Sequence, residues 1–471
     1  MTGGRRTQVV VVGGGPAGAV AALVLARRGA EVLLLDRARF PRPKPCGQFV
    51  GPAGARLLST LGLWEAVRGA GARPLAGMRI EAPDGSVLLG RFPGGPAGAQ
   101  DGPAAFALSR EDLDAALLDR ARLAGVRILE GLRVVDVQAG ASHAVVLALA
   151  GRRVLTLRAE WVIGADGRHS AVARALGLRR RLFRLRRFGL LADFADFPDA
   201  GRLAEVFVGR HAYCIVNPMG DGRACVGVVT DWRVEACRAG LSDLLAGQLA
   251  AFPSVARRAA GARLVGGLYG VGPLAFRRDP PGAGRTLLVG DAAGFYDPLT
   301  GEGVTAAFQT GALAGALLAD GLAAGAKPAE VQAAYAAARR LLLGPRWRLL
   351  ALLQAVVSRP GLACSVAHYL ERHPGALAIL MAAVAGAVPG GRAAGSPGLL
   401  RRLLGPGQIR GDLRGAIDSP ELGCWRGGRR SHGEIARGED HATQTGSGGA
   451  GGGSHCGGAL GGCPPRTAAA G

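Results

Sequence analysis

From residue 8 the chain places a β-branched apolar run (9–12), a glycine-rich turn, a helical stretch (16–28) closed by Gly29, and a second apolar run (31–36). Short apolar runs on either side of a helical stretch predict a βαβ unit. Farther on, the pattern predicts one helix over 52–70, a hairpin over 76–92 around Asp84-Gly85, and an amphipathic helix over 109–124. Strands follow near 126–137, 143–149 and 153–158. A separate short buried strand over 161–163 then leads into Gly164-Ala165-Asp166-Gly167. Residues 188–232 alternate as strands with a turn at 218–222, 233–259 reads as a helix, and strand resumes to about 278. A last apolar strand over 286–289 runs into Gly290-Asp291 and a long Ala/Gly-rich helix over 302–320. Residues 329–388 read as all helical. Beyond Pro406 the periodicity is lost, and clusters such as 446–454 read as disorder.

Composition narrows the class. With 471 residues, 49% of them hydrophobic, the chain can bury a large core spread over two or three domains. Eight Cys stand without a C-x-x-C pair, which argues against a zinc module or disulfide framework and fits a reducing, cytoplasmic setting. The formal charge of +22 comes almost wholly from Arg, since Lys44 and Lys327 are the only lysines. Arg is spread along the chain rather than gathered on one module with aromatics, so no nucleic-acid partner is expected. The one dense run, Arg179-Arg180-Arg181 with Arg184, Arg186 and Arg187, reads as a solvated basic face, ahead of an anionic partner or membrane surface. No stretch reads as the eighteen or so apolar residues that span a bilayer. Residues 376–388 read as a buried or interfacial helix, so peripheral membrane contact stays open.

Gly13-Gly14-Gly15-Pro16-Ala17-Gly18 satisfies G-x-G-x-x-G between a strand and a helix, and Asp36 ends the second strand. The first glycine permits the tight turn, the second lets the backbone approach a pyrophosphate, and the third lets helix and strand pack closely. The acidic side chain is placed to accept from a ribose hydroxyl. Three further segments accompany this fingerprint. They are Ser109-Arg110 at a helix start, Gly164 to Ser170 after a buried strand, and Gly290-Asp291-Ala292-Ala293-Gly294 with Pro298, Gly301, Glu302 and Gly303. In this order, over residues 7–320, they resemble the flavoprotein monooxygenase superfamily typified by p-hydroxybenzoate hydroxylase and including the geranylgeranyl reductases.

The resemblance implies FAD held by Gly13, Gly15, Pro16, Ala17, Gly18, Asp36 and Arg37. Arg110 would lie near the pyrophosphate or ribityl region, Val134 near the adenine through its backbone, and Asp166 would support both the cofactor and the motif turn. Gly290 and Asp291 would meet the ribityl chain, while Gly301, Gly303 and Val304 open a helix whose positive end faces the flavin pyrimidine. Asp166 reads equally as a helix N-cap. NADH or NADPH would visit transiently, because no second G-x-G-x-x-G is present.

No catalytic side chain is assigned. Weak candidates are Lys44, Cys46 and Gln48 in the K-x-C-G segment that lies over the flavin in relatives, Tyr213 on a substrate-domain strand, and Pro298. Cys46 reads foremost as a small group packed on the flavin. On that strand Ile215 and Asn217 replace the aromatics that geranylgeranyl reductases carry. The five Trp stand far apart, which argues against halogenase chemistry. His169 and His211 read as surface or structural, Asp112 and Asp114 as solvent-facing, and no cluster has metal-ligand spacing.

The expected fold class is α/β. It comprises a three-layer Rossmann-like FAD-binding domain (1–75, 100–180 and 286–345), an inserted β-rich substrate domain (76–99 and 181–285), C-terminal helices (346–405) and a disordered tail (406–471). The expected function is an FAD-dependent monooxygenase that uses NAD(P)H and O2, through a flavin C4a-hydroperoxide, to hydroxylate an aromatic or lipophilic small-molecule intermediate. The alternatives are geranylgeranyl-reductase-like saturation of an isoprenoid double bond, and a non-catalytic flavin-binding, membrane-associated protein. The expected location is cytoplasmic, with membrane-peripheral attachment as the variant.

Overall fold

The computed structural model describes residues 6–93, 105–183, 186–231 and 240–386. The expected tail, 406–471, lies outside them, as do Arg184 of the basic run and the first residues of the helix expected from 233.

The predicted βαβ unit is present as β1 (Arg6–Val12), α1 (Pro16–Arg27) and β2 (Val32–Asp36). Next come α2 (Pro52–Thr60), α3 (Trp64–Gly69), the hairpin β3 (Gly77–Glu81) and β4 (Val87–Arg91), and α4 (Arg110–Leu123). The single helix expected over 52–70 is two, because Gly62 turns the chain with φ of +62° between them. Strands β5 (Arg127–Glu130), β6 (Arg133–Ala139), β7 (Ala144–Ala150) and β8 (Arg153–Gly164) precede the short helix α5 (Ala171–Ala175). The separate strand expected over 161–163 is the second half of β8. Its first half pairs antiparallel with β7, from Ala150↔Arg153 to Ala144↔Ala159, and its second pairs parallel with β1, Val9↔Trp161 to Val12↔Gly164.

A second set of strands follows: β9 (Arg187–Ala195), β10 (Leu203–Val208), β11 (Ala212–Gly220), β12 (Arg223–Asp231) and β13 (Arg263–Val271). Pro218 and Met219 lie within β11, and the chain reverses only at Asp221-Gly222. In place of one long helix before β13 stand α6 (Leu241–Leu249) and α7 (Pro253–Ala260), separated where Pro253 cannot continue α6. The chain then adds β14 (Thr286–Leu288), α8 (Gly303–Ala323), α9 (Pro328–Val357), α10 (Pro360–Arg372) and α11 (Pro374–Val384).

Two sheets organise these elements. In the first, β14, β8, β1, β2 and β5 run parallel in that spatial order, with β7 and β6 added antiparallel on the N-terminal half of β8. The second has the order β13, β9, β12, β11, β10, β3, β4 and is antiparallel except where β10 meets β3. Helices α1 and α8 pack closely on each other over the first sheet. A Cβ at Gly311 would stand 2.3 Å from the Ala17 carbonyl oxygen, so this crossing requires glycine. By length and composition α8 meets the requirement for crossing a bilayer, contrary to the expectation that no stretch does. Here it lies in the core, with Phe308, Ala314 and Leu318 fully buried.

Parallel pairing brings the C-terminal ends of β1, β2, β8 and β14 to one edge of the sheet. In an open α/β sheet this edge is where ligands bind. The four motifs read from the sequence meet there.

Candidate active site

The glycine-rich turn is shaped by contacts that a side chain would break. Gly13 has φ of +106°, and a Cβ on Gly18 would stand 1.9 Å from the Gly13 carbonyl oxygen. Gly15 differs, since a Cβ there would meet nothing closer than Arg110 Nη2 at 3.6 Å and Arg42 Nη2 at 3.8 Å. It caps α1 without any side-chain bond, and Pro16 occupies the first helical position. The free amides of the first turn and two guanidinium groups therefore converge on one spot, which is what a pyrophosphate requires.

Arg110 is held there by Asp114, one turn along α4. Its Nε donates to Oδ1 at 2.9 Å and its Nη2 to Oδ2 at 2.8 Å, while Arg42 Nη1 lies 3.3 Å from the same Oδ2. Asp114 is completely buried, which corrects its expected solvent-facing position. Burial, the largest single effect, would lower the Arg110 pKa, but the Asp114 charge and hydrogen bond together with Cys46 outweigh it and the group stays above its ordinary value.

Asp36 sits at the end of β2, where its Oδ2 accepts from the Gly14 amide at 2.7 Å and its Oδ1 from Ala38 at 2.8 Å. Arg37 beside it is exposed, and Val134 is buried where the chain returns from Leu132, whose amide bonds the Asp36 carbonyl at 2.8 Å. Asp166 accepts from Ala171 and Val172 at 2.6 and 3.3 Å, so it does cap α5, together with Ser170. Its other oxygen is buried and has no hydrogen-bond partner among the described residues.

Across the sheet edge, residues 290–292 form one tight turn beneath the N-terminus of α8, which begins at Gly303-Val304. Gly290 donates to Thr310 Oγ1 at 2.9 Å, and Gly301 turns with φ of +67° against the Phe49 ring. Burial raises the Asp291 pKa, while Arg168, Lys44 and Arg110 pull it back toward the charged form. Desolvation and then Arg42 and Arg110 hold the Lys44 ammonium below its usual value, with Asp291 opposing. Lys44, Arg110 and Asp291 thus act on one another's charge at this sheet edge. The amide cradle, the paired guanidiniums, the ribose-level carboxylate and the second carboxylate at the α8 end together fit FAD.

The K-x-C-G segment lies between the two sheets. Cys46 Sγ accepts from the Gln48 amide at 3.3 Å, Asn217 Nδ2 donates to the Gly47 carbonyl at 2.7 Å, and Gln48 Nε2 to Asp193 Oδ2 at 2.5 Å. Gln48 has φ of +57°, a conformation these bonds hold. His169 and His211 are exposed, and no group of metal-ligating side chains exists among the described residues.

A second cluster, of which the sequence named only Tyr213 and the neighbouring Pro298, lies at the Gly290–Gly303 loop. Tyr213 donates from its hydroxyl to Asp297 Oδ1 at 2.5 Å, and that oxygen also accepts from Gln354 Nε2 at 2.5 Å and the Leu299 amide at 2.9 Å. Arg187, expected on a solvated face, is 2% exposed. It lies over the Tyr213 ring, donates to Ser358 at 2.7 Å and pairs with Asp231 at 3.3 Å. Burial raises the Asp297 pKa to about 6 against the opposing pull of the Tyr213 bond and Arg187. Asp297 lines a small cleft that also involves Asp291, Gly303, Phe295, Tyr296, Trp347 and Leu350. Pro298 follows it in the same turn. The i,i+4 spacing of Arg110 and Asp114 was available in the sequence as a signal. No local pattern marked Arg187 or Gln354.

Comparison with known proteins agrees with this geometry. Residues 6–236 match the FAD binding domain family. The chain is 31% identical over 347 residues to a digeranylgeranylglycerophospholipid reductase of Methanothrix thermoacetophila, covering 70% of this chain and 82% of that one. It is 32% identical to a menaquinone reductase of Mycobacterium tuberculosis, covering 66% and 76%. It is 28% identical to a 6-methylpretetramide 4-monooxygenase of Streptomyces rimosus, covering 68% and 77%. Among solved structures, the flavin-dependent halogenase CmlS aligns with a TM-score of 0.69 at 27% identity over 75% of this chain and 65% of that one. The sheet-edge dinucleotide site and these matches together make the chain a member of the p-hydroxybenzoate-hydroxylase-like flavoprotein superfamily, an FAD-dependent oxidoreductase.

Proposed function

We propose that the protein is a reductase that saturates a carbon–carbon double bond in a long, apolar substrate of the isoprenoid-lipid or prenyl-quinone class. The observation that carries this reading is the cleft beside the cofactor loop. Its walls include Phe295, Tyr296, Leu343, Trp347 and Leu350, and Phe183 stacks edge-on against both Tyr296 (5.1 Å) and Trp347 (6.0 Å). Such walls suit a hydrocarbon chain. The likeness to a digeranylgeranylglycerophospholipid reductase and a menaquinone reductase, at 31% and 32% identity, supports this reading ahead of oxygen insertion, the first expectation from sequence. The chemistry that FAD would supply when bound and reduced by NADH or NADPH is hydride transfer. The protein's own residues do the rest. Arg42, Arg110 and the α1 amides would hold the pyrophosphate, the N-terminus of α8 would stabilise negative charge on the bound group, and the aromatic walls would exclude water and orient the chain. A lipophilic substrate also favours a cytoplasmic enzyme that works at a membrane surface.

Hydroxylation is the second reading, supported by the likeness to the 4-monooxygenase. One experiment separates the two. Holoprotein reduced under anaerobic conditions is mixed with menaquinone or with digeranylgeranylglycerophospholipid, with and without O2. Return of oxidised flavin absorbance without O2, and a product carrying two added hydrogens in its isoprenoid chain with any quinone ring reoxidised before weighing, is expected. A product heavier by one oxygen atom, formed only with O2, would overturn the reductase reading.

A further inference from the structure

The polar side chains around Asp297 leave one of its oxygens saturated and the other without a partner. Oδ1 accepts three hydrogen bonds, from Tyr213, Gln354 and the Leu299 amide. Oδ2 is buried and has no partner among the described residues. The residue is 3% exposed, and it lines the cleft. An oxygen that already accepts three donors has no lone pair left for a proton, so a neutral Asp297 carries its proton on Oδ2.

We propose that Asp297 is the catalytic acid of the cleft, giving the proton on Oδ2 to the substrate, while Tyr213, Gln354 and Arg187 act as positioning residues that hold the carboxyl in this orientation. The proposal rests on the reductase reading and extends it. In the balanced step the π bond of the substrate breaks and two C–H bonds form. One carbon receives a hydride from the reduced cofactor, and the other receives the Asp297 proton. The cofactor is left oxidised and Asp297 is left as a carboxylate, which water reprotonates.

The charged groups packed around Asp297 come from four elements, and they act in opposite directions. Arg187 on β9 favours the carboxylate, and the Tyr213 hydroxyl on β11 donates to it. Gln354 donates from α9, which also carries Arg346, paired with Glu302 at 3.6 Å across the same cleft. Asp291 lies on the same loop. Burial outweighs the attraction of Arg187 and the donated bonds, and keeps the acid form populated up to a pH of about 6.

Asp297→Asn keeps an oxygen for the three donors and puts a non-titrating amide where Oδ2 stands. Reduced holoenzyme mixed anaerobically with menaquinone or digeranylgeranylglycerophospholipid should transfer hydride at least tenfold more slowly in Asp297→Asn than in the wild type, with unchanged FAD content. The wild-type rate should fall as pH rises above about 6, and the variant rate should be flat with pH. Tyr213→Phe removes a donor that favours the carboxylate, so the fall of its rate should move to higher pH than in the wild type. Wild-type rate and pH profile in Asp297→Asn would overturn the proposal. A wild type inert to both lipids would instead overturn the reductase reading. Asp297 is then still tested by pH-difference infrared spectra of the holoenzyme, in which a protonated-carboxyl band titrating near pH 6 must be present in the wild type and absent in Asp297→Asn. If that band is missing, the assignment of the acid fails whatever the substrate.

Discussion

Replacing Asp114 by Asn tests whether the pyrophosphate end of the site is built on a buried charge. Asp114 has no solvent exposure, Arg110 and Arg42 are 11% and 17% exposed, and both guanidiniums lean on its Oδ2 at 2.8 and 3.3 Å. Asn retains the shape but removes the only carboxylate among the described residues that either arginine is paired with. Removing one partner of a buried pair leaves an uncompensated charge and costs about 3–5 kcal/mol. The adjacent pair Asp119–Arg122 on the same helix has side chains 66% and 43% exposed. Water screens that pair, and its loss costs about 1 kcal/mol or less. The assay is urea unfolding of FAD-stripped protein followed by tryptophan fluorescence, comparing wild type, Asp114→Asn and Asp119→Asn. The first variant should lose about 3–5 kcal/mol and the second less than about 1 kcal/mol. With FAD bound the Asp114→Asn deficit should shrink, because the diphosphate returns negative charge to the two arginines. Equal stability of the two variants, or a deficit that FAD does not reduce, would refute the reasoning.

The remaining predictions concern the cofactor and pH. Gly15→Ala should fold with a wild-type circular dichroism spectrum yet lose FAD, since its Cβ has room in the fold (3.6 Å to the nearest atom) but occupies the pyrophosphate approach; retention of FAD would count against that approach. Gly18→Ala should lose the folded protein as well, because its Cβ would stand 1.9 Å from the Gly13 carbonyl oxygen. Asp291→Ala should weaken FAD binding roughly 10- to 150-fold, as loss of one charge-assisted bond of about 1.5–3 kcal/mol implies, whereas Cys46→Ala should retain it; equal flavin content in the two would refute the ribityl role. Burial raises the Asp297 pKa, so its stabilising contribution is complete below the unfolded value near 3.8 and is lost as pH rises through the folded value of about 6. Thermal midpoints should therefore show Asp297→Asn gaining up to about 3 kcal/mol on the wild type between pH 4 and pH 8, at about 1.4 kcal/mol per pH unit. A constant difference across that range would show that Asp297 does not titrate there.

Much of the cofactor end was legible in the chain itself because it is local chemistry. The Gly13–Gly18 turn, Asp36 two elements later and the Gly290-Asp291 turn before α8 are each set by steric or hydrogen-bond demands within a few residues, so their types and spacing survive as a readable pattern. The βαβ unit, the 76–92 hairpin and the 109–124 helix were legible for the same reason. Where one turn interrupts a longer periodic stretch, as at Gly62 or Pro253, the apolar pattern continued across the break and hid it. The two pairings of β8 were also hidden, because a strand carries no label for the partner it will meet. Apart from the candidate Tyr213, the acid side of the cleft depended on tertiary structure. Asp297, Tyr213, Arg187, Gln354 and Ser358 come from a loop, two strands of the second sheet and α9, up to 171 residues apart. Composition makes Arg187 one more member of a basic run and Asp114 one more acid on an amphipathic helix. Packing decides that both are buried, and burial turns a surface charge into a group whose partner, pKa and orientation are set by its neighbours.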